Sequence, residues 1–337
     1  MSTEHYPMRA WMPSLLIASI AWGSSFVFIK MALDEFAPAH VGFIRLVVGV
    51  SVLILIVGFQ RAWPRLSWRT VGGIAVVAIG MSGVPMVLIP MAEERITSIL
   101  ASLLNATTPL WTALFVALLI PHERTSRAQL AGLGVGAVGI AVLVGAWDVN
   151  SLPLAGTVLM LVATAFYGIG GTLSRLLLTK VDATPAALSM TQVGLSAVML
   201  APFALLAGQP GDNAFSLSHR ALWGVLALGV FGTSFAYVLF WRVVKMAGAT
   251  TASSVTYLSP IAATLLGILV LGETLHWYEP VGALIVFAGV FLAGRAHNSK
   301  ARRVAVQPTP VPALEPAAST EADAGVGADV EGPYEPK

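Results

Sequence analysis

The sequence contains no cysteine, and only 11% of its 337 residues are charged. Without cysteine the chain has no disulfide, no thiolate metal ligand and no thiol nucleophile. The low charge, a hydrophobic share of 56% and a mean hydropathy of +0.80 together exclude an ordinary soluble globular protein. Strand-like alternation of apolar and polar residues is also absent, which argues against a membrane barrel. The fold class that remains is an all-α membrane protein.

What the sequence does contain is a series of apolar stretches of about 20 residues, long enough for helices that cross about 30 Å of hydrocarbon. We predict ten transmembrane helices. Their predicted spans are 13–32, 40–59, 70–91, 97–119, 128–146, 155–174, 184–207, 221–241, 250–271 and 279–296. The first stretch is predicted to be a retained span, because nine similar ones follow it.

These spans divide the chain into two helical halves with polar flanks. The predicted parts are a cytoplasmic N-terminal segment (1–12), a first five-helix repeat (13–146), a linker (147–154), a second five-helix repeat (155–296) and a cytoplasmic tail (297–337). The tail is rich in Ala, Pro, Glu, Asp and Gly, a composition that cannot bury enough apolar surface to fold. It is therefore predicted to be disordered.

Lysine and arginine are concentrated in alternate connections between the spans. One set of segments carries Arg9, Arg61, Arg65, Arg69, Arg124, Arg127, Arg175, Lys180, Arg242, Lys245, Arg295, Lys300, Arg302 and Arg303, whereas the opposite set carries only Lys30, Arg95 and Arg220. Positive charge favours the cytoplasmic side, so both termini are predicted to be cytoplasmic. A preference for Arg, Ala, Gly and Val is typical of a GC-rich bacterium, which predicts a bacterial inner membrane.

The two halves repeat each other in sequence. A shift of 151 residues superimposes Pro109 on Pro260, Asn105 on Thr256, and Thr108 on Ser259; a shift of 145 superimposes Trp22 on Tyr167 and Lys30 on Arg175. Because each half holds an odd number of spans, the second must enter the membrane from the opposite face. Inverted repeats of this kind are typical of secondary transporters with a site near the membrane midplane.

Several segments carry a family resemblance: AWGSSFVFIK (21–30), APAHVGFIRLVVG (37–49), ATTPLW (106–111), YLSPIA (257–262), HER (122–124) and LGETLHWYEPVGALIVFAGVFLAG (271–294). Over residues 13–296 the sequence resembles the EamA-type branch of the drug/metabolite transporter superfamily. The resemblance implies a ten-helix transporter and no enzyme. It also implies a substrate among amino acids and other small metabolites.

Two prolines lie within spans. A proline has no N–H for the carbonyl four residues earlier, so Pro109 and Pro260 are predicted to kink their helices and to act as hinges. The freed carbonyls belong to Asn105 and Thr256, whose polar neighbours share a helical face, which predicts a common central cavity. The alternative is that the prolines only shape packing and that the hydroxyls bond their own helix backbone.

Aromatic residues deep in the spans predict an amphipathic lining for this cavity. Packing alone is the alternative for each of them. The candidate substrate-binding residues are Trp22, Ser25, Asn105, Thr108, Trp111, Tyr167, Tyr237, Thr256, Tyr257 and Ser259. Such a set favours a small amphipathic or apolar-bodied substrate.

Arg45 is the only basic residue well inside a span, and its repeat counterpart is Gln192. An intramembrane charge suggests contact with a substrate carboxylate or with Asp34 or Glu35; the alternative is that Arg45 snorkels to the headgroups. Lys30 is a candidate gate or interface charge. Acidic residues fall in loops or near span ends, so a buried carboxylate relay is not expected, and this predicts uniport or exchange.

Other motifs point to packing rather than chemistry. GVGAVG (134–139) lies inside an apolar helix with no preceding strand, which excludes a dinucleotide site. Gly132 and Gly136 instead form a G-x-x-x-G pair, with a similar groove at Gly289 and Ala293. No metal or cofactor site is predicted, and the body offers only scattered histidines for an enzyme.

The sequence thus predicts a secondary transporter that exports an amino acid or similar amphipathic metabolite by alternating access. Its predicted partners are that small molecule and membrane lipids, without nucleic acid, and it is predicted to be a monomer or a homodimer. The alternative is a non-transporting membrane sensor or assembly subunit on the same fold.

Overall fold

The structure is a computed structural model that describes residues 6–120, 127–148, 152–178, 181–207, 218–252 and 254–305. These residues form ten helical segments and no strand. The helices are α1 Met8–Leu33, α2 Pro38–Phe59, α3 Trp68–Glu93, α4 Ser98–Leu119, α5 Arg127–Leu143, α6 Leu154–Leu177, α7 Pro185–Leu206, α8 His219–Gly248, α9 Val255–Leu271 and α10 Tyr278–Ala305.

Seven of these helices, α1 to α4 and α6 to α8, are long and apolar enough to cross a membrane. The protein is therefore a multi-pass membrane protein, as the composition predicts. Helices α5, α9 and α10 contain shorter apolar stretches at Gln129–Leu143, Val255–Leu271 and Tyr278–Ala293, so ten membrane crossings stay a prediction.

The helix ends differ from the predicted boundaries at both ends of the chain. Helix α1 begins at Met8, within the predicted N-terminal segment 1–12. Helix α10 continues to Ala305, nine residues into the predicted tail. The rest of that tail, 306–337, lies outside the described residues, as do 149–151 of the predicted linker.

Side-chain caps fix the start of four helices. Each cap oxygen accepts a hydrogen bond from the backbone N–H three residues later, which would otherwise be unpaired. These capping residues are Ser67 before α3, Thr97 before α4, Thr184 before α7 and Ser218 before α8. Pro38 and Pro185 open α2 and α7, where a missing N–H removes no helical bond.

The packing of the helices has a two-fold pattern. Helix α1 packs against α8 and α9, whereas α6 packs against α3 and α4. Helix α2 packs against α7, and α5 packs against α10. When the first five helices are exchanged with the second five, the pairings of α1 map onto those of α6, and the α2–α7 and α5–α10 pairings map onto themselves. The first helix of each half is thus held by the third and fourth helices of the other half.

Helices α5 and α10 meet through their small residues. A Cβ atom on Gly132 would lie 2.6 Å from the nitrogen of Ala293, and one on Gly289 would lie 2.6 Å from the oxygen of Gly132. The predicted role of these glycines in packing is confirmed. Because the two small-residue faces cover each other within one chain, they do not form an open groove for a second copy.

The third helix of each half contains one widened turn, and the two turns lie at matching positions. A π-helical turn spans Ile79–Gly83 in α3, and another spans Val230–Phe235 in α8, 151 residues later. A π turn inserts one extra residue and is frequent at functional sites. Helix α9 ends in a third such turn at Gly267–Leu271.

Candidate functional site

Arg45 turns into the protein instead of toward the surface. The residue is only 3% exposed, and its Nε donates to Oγ1 of Thr233 over 3.2 Å. Nη2 donates to the carbonyl oxygen of Gly232 at 3.4 Å. Both acceptors belong to the π turn of α8. Snorkelling to the headgroups is therefore not the conformation of this arginine.

The pairing of Arg45 with Asp34 is also absent. Asp34 lies 3.6 Å from Nε of Arg220 instead, in an exposed ion pair at the start of α8. Within the described residues, no ion pair includes Arg45.

Gln192 occupies the equivalent place in the other half. Its Nε2 atom donates to Oγ of Ser82 over 3.2 Å, and Ser82 lies in the π turn of α3. The hydroxyls of Ser82 and Ser196 are 2.8 Å apart. Each second helix thus sends a long polar side chain into the π turn of the opposite half, with a charge only at Arg45.

Glu93 joins Arg45 in a buried set of charged and polar groups. Glu93 is 0% exposed, and its carboxylate interacts electrostatically with Lys30, Arg45 and Glu273. Tyr167 and Tyr237 lie in the neighbourhood of Arg45. Helices α1, α2, α3, α6 and α8 all contribute to this set. The structure therefore places Lys30, Arg45, Tyr167 and Tyr237 in one region, and their role in substrate binding stays a prediction.

Sequence reasoning missed Glu93. It lies two residues beyond the predicted span 70–91, a position that normally faces water, yet here it is enclosed. Its place near a span end agrees with the prediction for acidic residues, but the sequence did not indicate that the side chain there is buried. The available signal was that Lys30 and Glu93 carry opposite charges at the predicted outer ends of two neighbouring helices.

Trp22 and Ser25 of α1 lie beside the same set. The Trp22 ring meets Tyr237 edge-on with centroids 5.6 Å apart, and the Tyr237 hydroxyl donates to the Met81 carbonyl over 2.6 Å. Ser25 packs directly on α8, because a Cβ on Gly232 would lie 2.3 Å from its Oγ. An aromatic wall and a small hydroxyl therefore border the charged groups.

Helix α4 is interrupted just before Pro109, at Ala106 and Thr107. Thr108 Oγ1 donates to the carbonyl of Asn105 over 2.8 Å, so it binds the carbonyl that Pro109 leaves unpaired. For Thr108, the structure therefore shows the alternative interpretation, in which the hydroxyl bonds the backbone of its own helix. The Oδ1 atom of Asn105 is buried without a hydrogen-bond partner in the described part of the chain.

The second proline does not interrupt its helix, so the two prolines differ in their local structure, and a kink at Pro260 stays a prediction. Helix α9 runs through Pro260 without a break until the π turn at Gly267. Pro109 lies one position into a helical segment that begins at Thr108, where its missing N–H is not needed. At Pro260 the helix has already formed, and only the bond to the Thr256 carbonyl is lost.

Helix α9 is also pressed closely against α1. A Cβ on Gly23 would lie 2.4 Å from the carbonyl oxygen of Ser259, which is itself 2% exposed. Thr256 is partly buried in the first turn of α9. The main chain of Ser259 is therefore part of the contact between α1 and α9.

Two predicted aromatic residues lie elsewhere. Trp111 stacks with Phe115, 6.5 Å apart, and lines an apolar groove of about 340 Å³ between α4 and α6. Tyr257 meets Phe287 of α10 edge-on at 5.5 Å. Among the described ring contacts, neither residue touches the Trp22–Tyr237 pair.

A carboxylate from the second half caps a helix of the first. Glu273 accepts from the backbone N–H of Ser98 at 2.8 Å and of Ile99 at 3.0 Å, and from the Ser98 hydroxyl at 2.8 Å. Lys30 donates to the main-chain carbonyl of Glu93 beside this contact. We call this region, defined by Lys30, Glu93, Ser98 and Glu273, the capped end. Polar contacts between the halves close the bundle there.

No group of three or more acidic or histidine side chains with the arrangement of a metal site exists among the residues that the structure describes. The groups that the site does contain are a guanidinium, an ammonium, a carboxyl group and aromatic rings. Such groups can bind and orient a polar molecule.

Comparison with known proteins agrees with this description. The sequence profile of the EamA-like transporter family matches twice, at residues 9–145 and 154–295. An uncharacterized transporter of Archaeoglobus fulgidus is 27% identical over 283 residues, which cover 82% of this chain and 95% of that protein. The uncharacterized inner membrane transporter YedA of Escherichia coli is 26% identical over 282 residues, which cover 83% and 89%.

Two further comparisons extend these matches. The uncharacterized transporter YoaV of Bacillus subtilis is 23% identical over 283 residues, which cover 83% of this chain and 95% of that protein. A solved crystal structure shares the fold with a TM-score of 0.59 at 18% identity, over 86% of this chain and 99% of its own. With both halves matched by one family profile, the chain belongs to the EamA-like transporter family, within the drug/metabolite transporter superfamily.

Proposed function

We propose that the protein is a secondary transporter that exports an amino acid or a similar amphipathic metabolite across a bacterial inner membrane. The observation that carries this proposal is the buried guanidinium of Arg45, held by Thr233 of the opposite half beside Tyr237 and Trp22. An intramembrane charge of this kind marks a substrate pathway more often than a structural contact. A similar Escherichia coli protein carries the name of an inner membrane transporter, which supports the location.

The direction of the helices supports two inverted repeats. Lys30, near the end of α1, reaches the main chain of Glu93. The start of α6 lies at the same end, because a Cβ on Gly156 would lie 3.1 Å from the Ala92 carbonyl. The first helices of the two halves therefore run in opposite directions. This arrangement fits two five-helix repeats, 13–146 and 155–296, with both termini on the cytoplasmic side.

The charges at the site favour a substrate with a carboxylate. A guanidinium has five N–H donors, and the contacts of Arg45 engage two of its nitrogens. The remaining donors match the fork of a carboxylate. Trp22 and Tyr237 offer an aromatic surface for an apolar body, and Glu93 in its ionised form can attract an ammonium group. An amino acid combines these three features.

The contacts at the capped end suggest how access alternates. Glu273 belongs to the second half and binds the first turn of α4 in the first half. When the halves rock apart at this end, these bonds break and the site opens toward that side. Pro109 and Pro260 are the proposed hinges, and the existing break in α4 makes Pro109 the more mobile of the two.

A thermal-shift screen of the purified full chain against a metabolite panel tests the proposal without a guess about direction. A ligand at one hundred times its dissociation constant stabilises the folded state by about 2.7 kcal/mol. We expect carboxylate-bearing amphipathic compounds to raise the melting temperature of the wild type and of Arg220→Gln, but not of Arg45→Gln.

The Arg220→Gln variant is the matched control, because it removes an exposed arginine that pairs with Asp34. Hits are then tested for flux in reconstituted vesicles. Ligands that bind equally to Arg45→Gln would disprove the assignment of the site. Binding without flux would indicate the non-transporting sensor or assembly subunit.

A further inference from the structure

The carboxylate of Glu93 is buried without a hydrogen-bond donor. The residue is 0% exposed, and neither Oε1 nor Oε2 has a hydrogen-bond partner within the described residues. An ionised carboxylate in such a place loses its hydration and gains no bonds in return. Other acidic side chains of the described bundle avoid this loss: Glu273 accepts three hydrogen bonds, and Glu94 is exposed and pairs with Arg95 at 3.0 Å.

The charged groups around Glu93 come from three directions. Lys30 approaches from α1, but its Nζ donates to the main-chain carbonyl of Glu93 and not to the carboxylate. Arg45 of α2 acts at longer range, since its own hydrogen bonds go to α8. Glu273 approaches from the connection between α9 and α10 and repels a second negative charge.

The fourth neighbour, α6, carries no charged residue before Arg175, and its only tyrosine is Tyr167. A fully ionised Glu93 would thus face a second carboxylate and an uncharged helix, with no hydrogen bond from Lys30 or Arg45 to its own carboxylate. Binding a proton removes the need for a compensating donor.

We propose that Glu93 is a proton-binding site that carries its proton while the capped end is closed. When that end opens, water reaches the carboxyl group, the O–H bond breaks, and the proton passes to water. The carboxylate left behind then faces Lys30 and Arg45. Coupling of this proton to substrate movement rests on the proposed transport function, whereas proton binding itself does not. Proton-coupled transport here replaces uniport or exchange.

Infrared spectroscopy of the reconstituted full chain tests the site directly. A protonated carboxylic acid has a carbonyl stretch that is separate from the bands of a carboxylate. At neutral pH we expect the wild type to show this band, Glu93→Gln to lose one carboxylic acid per chain, and Glu94→Gln to retain it. Glu94→Gln is the matched control, because it removes an exposed carboxylate one residue away.

The melting temperatures of the same variants provide a second measurement. Glutamine is uncharged and close in shape to a protonated glutamate, so we expect Glu93→Gln to melt near the wild-type temperature at neutral pH. If Glu93 were ionised and balanced Lys30 and Arg45, the substitution would leave buried positive charge and lower the melting temperature by several degrees. An identical acid band in Glu93→Gln and the wild type, or such a loss of stability, would overturn the proposal.

Vesicles separate the proton site from the transport function. The vesicles contain a pH-sensitive dye, and a compound found by the thermal-shift screen is added outside them. The change of pH inside the vesicles is then followed. We expect proton movement with the wild type and Glu94→Gln, and at least a tenfold slower signal with Glu93→Gln. A preserved acid band with no flux of any compound would refute the transport function alone. Flux without proton movement would refute the coupling.

Discussion

Arg45 and Thr233 connect the two halves of the chain through a buried hydrogen bond, with Nε and Oγ1 3.2 Å apart. The same distance separates Nε2 of Gln192 from Oγ of Ser82 in the exchanged position. Both hydroxyls lie in π turns, where the extra residue moves a side chain out of the regular helical register. The two sites are thus alike in geometry but differ by one charge, since Arg45 carries a guanidinium and Gln192 an uncharged amide.

Removal of the Thr233 hydroxyl tests how much this contact contributes to stability. Thr233→Val keeps the shape of the side chain but leaves a buried N–H of Arg45 unpaired. We expect a loss of about 1–3 kcal/mol, measured as a lower melting temperature of the purified protein. The control is Thr191→Val in α7, whose hydroxyl bonds only its own helix at the Ala187 carbonyl. Equal losses in the two variants would show that Arg45 does not depend on Thr233.

The sequence predicted the partners of this geometry only in part. The repeat identifies Gln192 as the counterpart of Arg45, because matching positions of the two halves are 145 to 151 residues apart and these two are 147 apart. It does not identify Ser82 and Thr233 as their partners, since a π turn changes the register without a sequence signal as clear as proline. The predicted fold class, the multi-pass membrane character and the packing of Gly132 follow from composition and spacing alone.

The direction of a side chain on its helix was the least predictable property. Trp22 and Trp111 are both deep tryptophans in their spans, yet one meets Tyr237 and the other lines a groove between α4 and α6. Successive side chains on a helix point about 100° apart, so a small change in position along the helix changes the neighbour that a side chain meets. Only the packing of neighbouring helices fixes that direction. Glu93 was missed for a related reason, because its burial depends on α1 and on the connection after α9.

A pair of glycines on α5 offers a test of the α5–α10 interface. Gly132 has backbone atoms of α10 within 2.6 Å of the place of a Cβ, whereas Gly134 has nothing within 4 Å. We expect Gly132→Ala to destabilise the protein by about 1–3 kcal/mol, because the helices must separate. Gly134→Ala should be neutral or stabilise by up to about 1 kcal/mol through helix propensity. Melting temperatures of the two variants measure the difference.

The opposite order of these two variants would contradict the close approach of α5 and α10. Equal effects would mean that propensity alone decides the outcome. Cross-linking of the purified protein provides a separate readout of the predicted homodimer. Such a dimer would have to form through another face of the protein than the α5–α10 interface.

The two prolines should differ in their effect on turnover. Pro109→Ala restores an N–H that can bond the Asn105 carbonyl, now held by the Thr108 hydroxyl, and allows α4 to become continuous. We expect roughly a tenfold loss of turnover, which corresponds to about 1.4 kcal/mol in the activation free energy. Pro260→Ala should have a smaller effect, because α9 is already continuous there.

Flux into vesicles and the melting temperature are measured for both single variants and for the double variant. A melting temperature at or above that of the wild type separates lost mobility from misfolding. Unchanged flux in the double variant would refute the hinge role of both residues.

The hydrogen bonds that Glu273 accepts should control how readily the capped end opens. The bonds from Ser98 and Ile99 to its carboxylate join the two halves, so in the proposed transport cycle they exist only while this end is closed. Hydrogen bonds to a charged group contribute about 1.5–3 kcal/mol each. Loss of even one such contribution in Glu273→Ala shifts the balance between open and closed states by roughly tenfold or more.

The absence of native cysteine makes this shift measurable by labelling. Ala101, on the second turn of α4, is 0% exposed, and Ala101→Cys places a single thiol behind the cap. A water-soluble thiol reagent should label this cysteine slowly in an otherwise wild-type chain and at least about tenfold faster with Glu273→Ala. Glu94→Ala is the control, because its carboxylate is exposed and pairs with Arg95.

The labelling rates also distinguish opening from general loosening of the bundle. A second reporter, Ala187→Cys on α7, is 1% exposed and belongs to a different core cluster from Ala101. If Glu273→Ala accelerates labelling at Ala101→Cys but not at Ala187→Cys, the carboxylate controls one end of the pathway. If both rates rise together, Glu273 stabilises the whole fold, and the closure of this end must depend on Lys30 and the Glu93 main chain instead.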